Sequence, residues 1–286
     1  MKRKALAVLA LALVLVLSLA ACGSAATSTA STTPAASTTA AAANGNTAEQ
    51  VLRIGVDDSY PPMEYKDDKN NTVGFDVDLA SEIGKKLGMK VEFVSTAWDG
   101  IFQALNTDKF DAIISSVSVT DERKQNFALT KPYIANAQVI VVKPSDNSIK
   151  EAKDLAGKKV GVQVNTTAHD SAKVFLKTTK FDLGTYDQVI QPFADLKAGR
   201  LDAVIVDEVV AQYYVAQDKS NFKVSSGKLT NEPIAACFKK DNTAMRDKVD
   251  QILEDFRKDG TLKKISEKWF GTDLTGNIDE KVKGVE

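Results

Sequence analysis

Residues 101–116 read IFQALNTDKFDAIISS, and residues 192–207 read PFADLKAGRLDAVIVD. The two stretches align without a gap at an offset of 91. Phe102 matches Phe193, Leu105 matches Leu196, and Phe110-Asp111-Ala112 matches Leu201-Asp202-Ala203. Each reads as a helix feeding a buried strand. A looser echo pairs IGV at 54–56 with VGV at 160–162. Two similar helix–strand units can arise by chance; the alternative is a pair of related α/β lobes. In that case the strands' C-terminal ends face one crevice, since ligands of open α/β sheets bind beyond those ends. Ser115-Ser116 and Val206-Asp207 then hold equivalent places, one at the lip of each lobe.

The alternation extends along the folded part. VLRIGV (51–56), KVEFV (90–94), DAII (111–114), KKVGVQV (158–164) and DAVIV (202–206) read as strands. FDVDLASEIGKKLG (75–88) sets Phe75, Leu79, Ile83 and Leu87 on one helical face. DGIFQAL (99–105), SAKVFLK (171–177) and EVVAQYYVAQ (208–217) read as further helices. Strands separated by helices imply crossover connections and α/β sheets.

The start of the chain speaks to compartment. Lys2, Arg3 and Lys4 precede an apolar run over 5–21 broken only by Ser18, the pattern of an export signal. A spanning helix takes about 20 apolar residues, so this run is short for one. Leu19-Ala20-Ala21-Cys22 resembles the lipobox of bacterial lipoproteins. That resemblance implies a signal peptide over 1–21, cut before Cys22, and lipid (palmitate) attachment at Cys22. The other reading is a plain signal peptide with an incidental Cys. Residues 23–49 hold only Ala, Ser, Thr, Gly, Asn, Pro and Glu. Such a segment buries too little to offset its chain entropy, so 22–49 is expected to be a lipidated Cys and a flexible tether. Cys237, in the apolar run PIAACF, is expected as a buried, reduced thiol.

The chain carries 37 Lys and Arg against 38 Asp and Glu. Without the three basic residues at its start the formal charge is about −4, which argues against nucleic acid as a partner.

The strand ends carry the chemistry. One lip offers hydroxyls at Ser115, Ser116, Ser118 and Thr120, then Arg123, whose planar fork suits a carboxylate. The other offers Asp207, an acceptor suited to an ammonium group. A third strand end leads through Thr167, with Asp170 at capping-box spacing, into a helix whose N-terminus favours an anion. Tyr60, in the Pro-rich loop VDDSYPPMEY, and Trp98, after FVSTA, are expected at loop positions that could sandwich a ligand's side chain. Each residue also has a plainer reading. Arg123 could be a solvated helix charge, Asp207 or Thr167 a simple cap, and Trp98 a core residue.

GFDVDLASEIGKKL (74–87), SVTDERK (118–124), DLAGKKVGVQ (154–163), GRLDAVIVDE (199–208) and DGTLKKISEKWFG (259–271) follow one another along the domain. Together they make residues 51–271 resemble the bacterial extracellular solute-binding proteins of family 3, the amino-acid-binding proteins of ABC importers. The resemblance implies an α/β fold: a two-lobe clamshell of type II periplasmic-binding-protein form, with two open sheets joined by crossing strands near 133–137 and 230–235. Lobe 1 is then 51–132 plus 236–271, lobe 2 is 137–230, and 272–286 is a charged tail with no assigned role. Carried over by position, Arg123 holds an α-carboxylate with Ser118 and Thr167. Asp207 holds the α-ammonium with the carbonyl of Ser116. Asp57, Tyr60, Trp98 and Gln163 line the side-chain pocket, and Glu64 is a further ligand-binding candidate. Asn165-Thr166-Thr167 departs from the family's usual Gly-Thr-Thr, though Asn tolerates left-handed backbone. Leu129-Thr130-Lys131-Pro132-Tyr133 departs at the lobe edge.

The expected function is therefore non-catalytic: a lipid-anchored, monomeric, extracytoplasmic protein that delivers an amino acid to ABC permease subunits. Asp57, Asp58 and Glu64 favour a basic side chain, Gln163 a neutral polar one. An enzyme of lyase or dehydratase type is the main rival, with Glu64 as its acid. A sensing receptor subunit is the third reading. The sequence carries no metal cluster, Cys–His pair or phosphate loop that would call for a cofactor. His169, the sole histidine, is expected to be exposed.

Overall fold

A computed structural model describes residues 50–284. The segments expected as signal peptide and tether, with Cys22, lie outside the described residues. In chain order come β1 (Val51–Val56), β2 (Ser59–Tyr60), β3 (Glu64–Lys66), β4 (Thr72–Val73), α1 (Phe75–Leu87), β5 (Lys90–Ser95), α2 (Trp98–Asn106), β6 (Ala112–Ile113), α3 (Asp121–Asn126) and β7 (Phe127–Leu129). Then follow β8 (Gln138–Val142), β9 (Lys159–Gln163), α4 (Thr167–Phe175), β10 (Asp182–Tyr186), α5 (Ile190–Ala198), β11 (Ala203–Asp207), α6 (Glu208–Gln217) and β12 (Lys223–Val224). The chain ends through β13 (Cys237–Lys239), α7 (Thr243–Asp259) and α8 (Thr261–Phe270).

These strands build two five-stranded sheets, ordered β5-β1-β6-β13-β7 and β10-β9-β11-β8-β12. The first three strands of each are parallel, and the remaining two add antiparallel contacts. A small β2-β3-β4 sheet flanks the first. The internal echo is structural. Ile54 and Gly55 pair with Ala112 and Ile113; Val160 and Gly161 pair with Ala203 and Val204. The acid of each copy makes the same backbone clip. Arg53 N donates to Asp111 Oδ2 at 2.8 Å, and Lys159 N donates to Asp202 Oδ2 at 2.7 Å. Each strand glycine makes room for an echoed apolar residue. A Cβ on Gly55 would sit 2.4 Å from the Phe110 ring, and one on Gly161 2.4 Å from Leu201 Cδ1.

The chain passes from the first sheet to the second and back through two segments that pair antiparallel. Ile234 N donates to Ile134 O at 3.0 Å, and Glu232 N to Asn136 O at 3.0 Å. Residues 272–284 fold back onto these segments. Ala135 N donates to Leu274 O, and Asn231 Nδ2 donates to the carbonyls of Asp279 and Lys281. Cys237 is a free, buried thiol, and burial pushes it up to about 12. No helix among the described residues is long and apolar enough to cross a membrane.

Candidate functional site

The ends of β1, β6, β9 and β11 converge on one walled-in cavity. It is lined by all ten residues singled out from the sequence, namely Asp57, Tyr60, Glu64, Trp98, Ser116, Ser118, Arg123, Gln163, Thr167 and Asp207, together with Ser115 and Thr166. The convergence follows from the topology. Each parallel strand ends on the same side of its sheet, and the antiparallel crossing segments turn the two sheets' ends toward one another.

On one side, Thr120 caps α3 by accepting from Arg123 N at 3.1 Å, which fixes the first turn that carries Arg123. The guanidinium donates Nη1 to Ser118 O at 2.8 Å and lies over the rings of Trp98 and Phe102, 5.4 and 5.0 Å from their centroids. It is a partly buried charge stacked on aromatics rather than a solvated one, and burial pulls it below its ordinary value. Ser118 Oγ stands 3.4 Å from Thr167 Oγ1.

On the other side, Asp207 ends β11 at 5% exposure. It occupies the cap position of α6 but accepts no helix N–H. Its carboxylate accepts from Tyr60 Oη at 2.6 Å, Asn136 Nδ2 at 2.7 Å and Gln138 Nε2 at 2.7 Å. Gln163 Nε2 donates to Asp57 Oδ2 at 2.8 Å, and Trp98 Nε1 donates to Asn165 O at 2.9 Å. Tyr60–Asp207, Asp57–Gln163 and Trp98–Asn165 thus join the first-sheet side to the second-sheet side. Burial pushes the Asp57, Asp207 and Glu232 carboxyls up, against the hydrogen bonds they accept. Burial, then the Asp207 charge, raises the Tyr60 phenol well above its ordinary value.

Several local expectations are corrected. Tyr60 lies in β2, paired with Glu64, rather than in a loop, because the turn at 61–63 closes a hairpin. Trp98 is the first residue of α2. The cap of α4 is Thr166, whose Oγ1 accepts from His169 N at 3.2 Å. Thr167, one residue on, is freed to face the cavity, where it accepts from Gln138 Nε2 at 3.0 Å. Asn165 takes the left-handed turn at φ 56, as its tolerance for that region predicts. Asp58 faces away, paired with Lys66 at 3.0 Å, so it adds no acid to the cavity. His169 is half-buried rather than exposed, and its Nδ1 accepts from Asn165 N at 3.1 Å.

Asn136, Gln138, Glu232 and Asp76 escaped the sequence reading. Asn136 and Gln138 stand two apart on extended chain just before the apolar run VIVV, and that period of two was the available signal. Chemically, the cavity can hold an anion at Arg123 and a cation at Asp207. Ser116 Oγ, Asn136 Oδ1, Gln138 Oε1 and Gln163 Oε1 are buried without a partner in the protein. No group of three or more His, Cys, Asp or Glu among the described residues is placed to hold a metal.

Known proteins share this chain's sequence pattern and fold. The L-cystine-binding protein TcyJ of Escherichia coli (strain K12) is 33% identical over 226 residues, 79% of this chain and 84% of that protein. A solved ancestral arginine-binding protein bound to arginine is 41% identical, covering 78% of this chain and 99% of its own, with a TM-score of 0.75. A solved ancestral amino acid-binding protein, a precursor of cyclohexadienyl dehydratase, is 38% identical over 77% of this chain and 95% of its own, with a TM-score of 0.73. The family model of bacterial extracellular solute-binding proteins, family 3, matches residues 52–272. The chain belongs to that family.

Proposed function

We propose that this protein captures a free polar L-amino acid, a basic one by preference, outside the cytoplasmic membrane and passes it to the permease subunits of an ABC importer. The observation that carries this reading is a pair of opposite charges at one cavity, each without an ionic partner. Among the described residues neither Arg123 nor Asp207 has an ion pair; Asp207 is held by hydrogen bonds, and Arg123 by one hydrogen bond and the rings beneath it. A buried charge left unpaired is costly, and a zwitterion supplies both missing partners at once. In this reading Arg123, Ser118 and Thr167 take the α-carboxylate. Asp207 and the Ser116 carbonyl take the α-ammonium. Asp57, Tyr60, Glu64, Trp98 and Gln163 surround the side chain. The buried carboxylates Asp57 and Asp207 favour a cationic ligand, and the arginine-bound relative supports the same preference.

Lobe 1 comprises 51–132 plus 236–271 and lobe 2 comprises 137–230, closing by a hinge at the paired crossing segments. The basic start, the apolar run and Leu19-Ala20-Ala21-Cys22 support export and lipid attachment. Mass spectrometry of the mature N-terminus tests the anchor: an unmodified Cys22 removes it.

A thermal-shift panel of the common amino acids plus ornithine, citrulline and cystine tests the main reading. A ligand well above its Kd raises the Tm by mass action. No response to any of them sinks the amino-acid reading. Similarity to the dehydratase precursor favours turnover as the second reading. Chromatography after incubation decides between the two: intact amino acid supports capture, a converted product supports an enzyme.

A further inference from the structure

At the cavity wall Glu64, and behind it Asp76, bring two carboxyl groups together at 1% and 0% exposure. Asp76 N donates to Met63 O at 2.9 Å, which sets Asp76 beside Glu64, and no cation stands beside either among the described residues. Two like charges cannot both persist in such a place. The surroundings divide the roles. Asp76 is well supplied with donors: Ser116 N at 2.7 Å to Oδ2 and Tyr133 Oη at 2.8 Å to Oδ1. It also sits in the first turn of α1, where the helix dipole favours an anion. Glu64 is not so supplied. Its Oε1 accepts from Ser115 Oγ at 2.7 Å, while Oε2 is buried with no partner. A hydrogen on Glu64, directed at Asp76, satisfies both groups.

We propose that Glu64 is a positioning residue that works as a neutral acid, its proton held against Asp76, and so ties the backbone of Asp57 and Ser115-Ser116 into one wall of the cavity. The chain of hydrogen bonds is continuous. Asp57 N–H donates to Ser115 Oγ at 2.9 Å, and Ser115 O–H donates to Glu64 Oε1. Glu64 O–H donates to Asp76, which holds Ser116 N–H and, on the first crossing segment, Tyr133 Oη. Ser116 sits at φ 49, left-handed backbone that a non-glycine residue seldom adopts, and Asp76 is the group that holds its N–H there. Burial, then the Asp76 charge, pushes Glu64 well above the usual carboxylate range. Asp57, Tyr60 and Tyr133 are the other titratable groups that sense Glu64. All are acids, so none favours its ionisation. When Glu64 does lose its proton at raised pH, the link to Asp76 becomes a repulsion and the wall loosens. Affinity for the amino acid then falls.

The affinity part of this inference rests on the amino-acid reading above; the protonation part does not. Infrared spectroscopy of the protein without added amino acid is the first test. A protonated-carboxyl carbonyl band at neutral pH that disappears in Glu64→Gln is expected. Its absence from the unsubstituted protein, or its persistence in Glu64→Gln, overturns the proposal. Calorimetry with L-arginine and L-cystine is the second. Glu64→Gln, which still donates to Asp76 and accepts from Ser115, should lose less affinity than Glu64→Ala and should lose the alkaline fall in affinity. Glu64→Ala should bind roughly tenfold to hundredfold more weakly, as expected for a lost hydrogen bond to a buried charged group. Equal losses in Glu64→Gln and Glu64→Ala overturn the proposal. If neither amino acid binds, the functional reading fails alone and the infrared result still decides the protonation.

Discussion

Tyr60 and Asp207 are 147 residues apart in the chain, yet the Tyr60 hydroxyl donates to Asp207 Oδ2 at 2.6 Å across the cavity. One residue belongs to the small flanking sheet, the other to the end of β11. The bond therefore ties the two sides of the site together and orients the carboxylate at the same time.

Tyr60→Phe keeps the ring and removes that bond. Hydrogen bonds to charged groups are worth about 1.5–3 kcal/mol. Affinity for the bound amino acid should fall roughly tenfold or more, mainly through faster release. Stopped-flow or surface-plasmon kinetics measure this. An unchanged off-rate means that the bond does not hold the sides together around a ligand.

Arg123→Ala and Asp207→Ala should each weaken binding by about 2–5 kcal/mol, roughly 30-fold to several thousand-fold, while the fold persists. Arg123→Lys should recover little, because an ammonium cannot reproduce the planar fork stacked on Trp98 and Phe102. Calorimetry with circular dichroism separates binding from folding. Affinity unchanged in both alanine variants would mean the charges do not meet a zwitterion.

The buried acids make stability fall with rising pH. Asp57, Glu64, Asp207 and Glu232 are all raised by burial, and Asp76 is raised to about 6. A carboxyl raised in the folded state binds its proton more tightly there than in the unfolded chain. Its contribution is complete below the unfolded value and lost as pH climbs through the folded one. The window opens near the ordinary carboxylate values of 3.8 and 4.5 and runs through about 6 and above. Scanning calorimetry without added amino acid should show Tm declining across it. A Tm that rises over the same range contradicts the assignment.

Gly55→Ala and Gly161→Ala test the repeat. Each new methyl would sit 2.4 Å from an echoed partner, the Phe110 ring or Leu201 Cδ1. Overpacking of this kind costs about 1–3 kcal/mol. Urea denaturation should show a lowered midpoint in both variants. A midpoint unchanged in either removes the close packing claimed for that copy.

Much of the site was legible because strand ends are legible. Arg123, Ser118, Gln163 and Asp207 each stand where an apolar run gives way to polar residues, and such places in α/β sheets face a crevice. Other features were not. Asp76 reads as one more acid in an amphipathic helix, and only the position of α1 beneath Ser116 and Tyr133 turns it inward. Asn136 and Gln138 look like linker residues until the crossing segments pair and aim them at Asp207. The cap at Thr166 rather than Thr167 depended on where Asn165 turned the chain, a choice of one residue that spacing leaves open.

By itself the sequence determined the alternation of strands and helices, the repeat at an offset of 91, and the residue types at each strand end. These are local properties, set by side-chain periodicity and by which residues tolerate a turn. Tertiary structure alone decided which charges remain without partners, which carboxyls touch, and that Tyr60 meets Asp207. Those outcomes depend on burial and on distances between residues far apart in the chain, and Coulomb and desolvation energies follow distance and dielectric rather than sequence order.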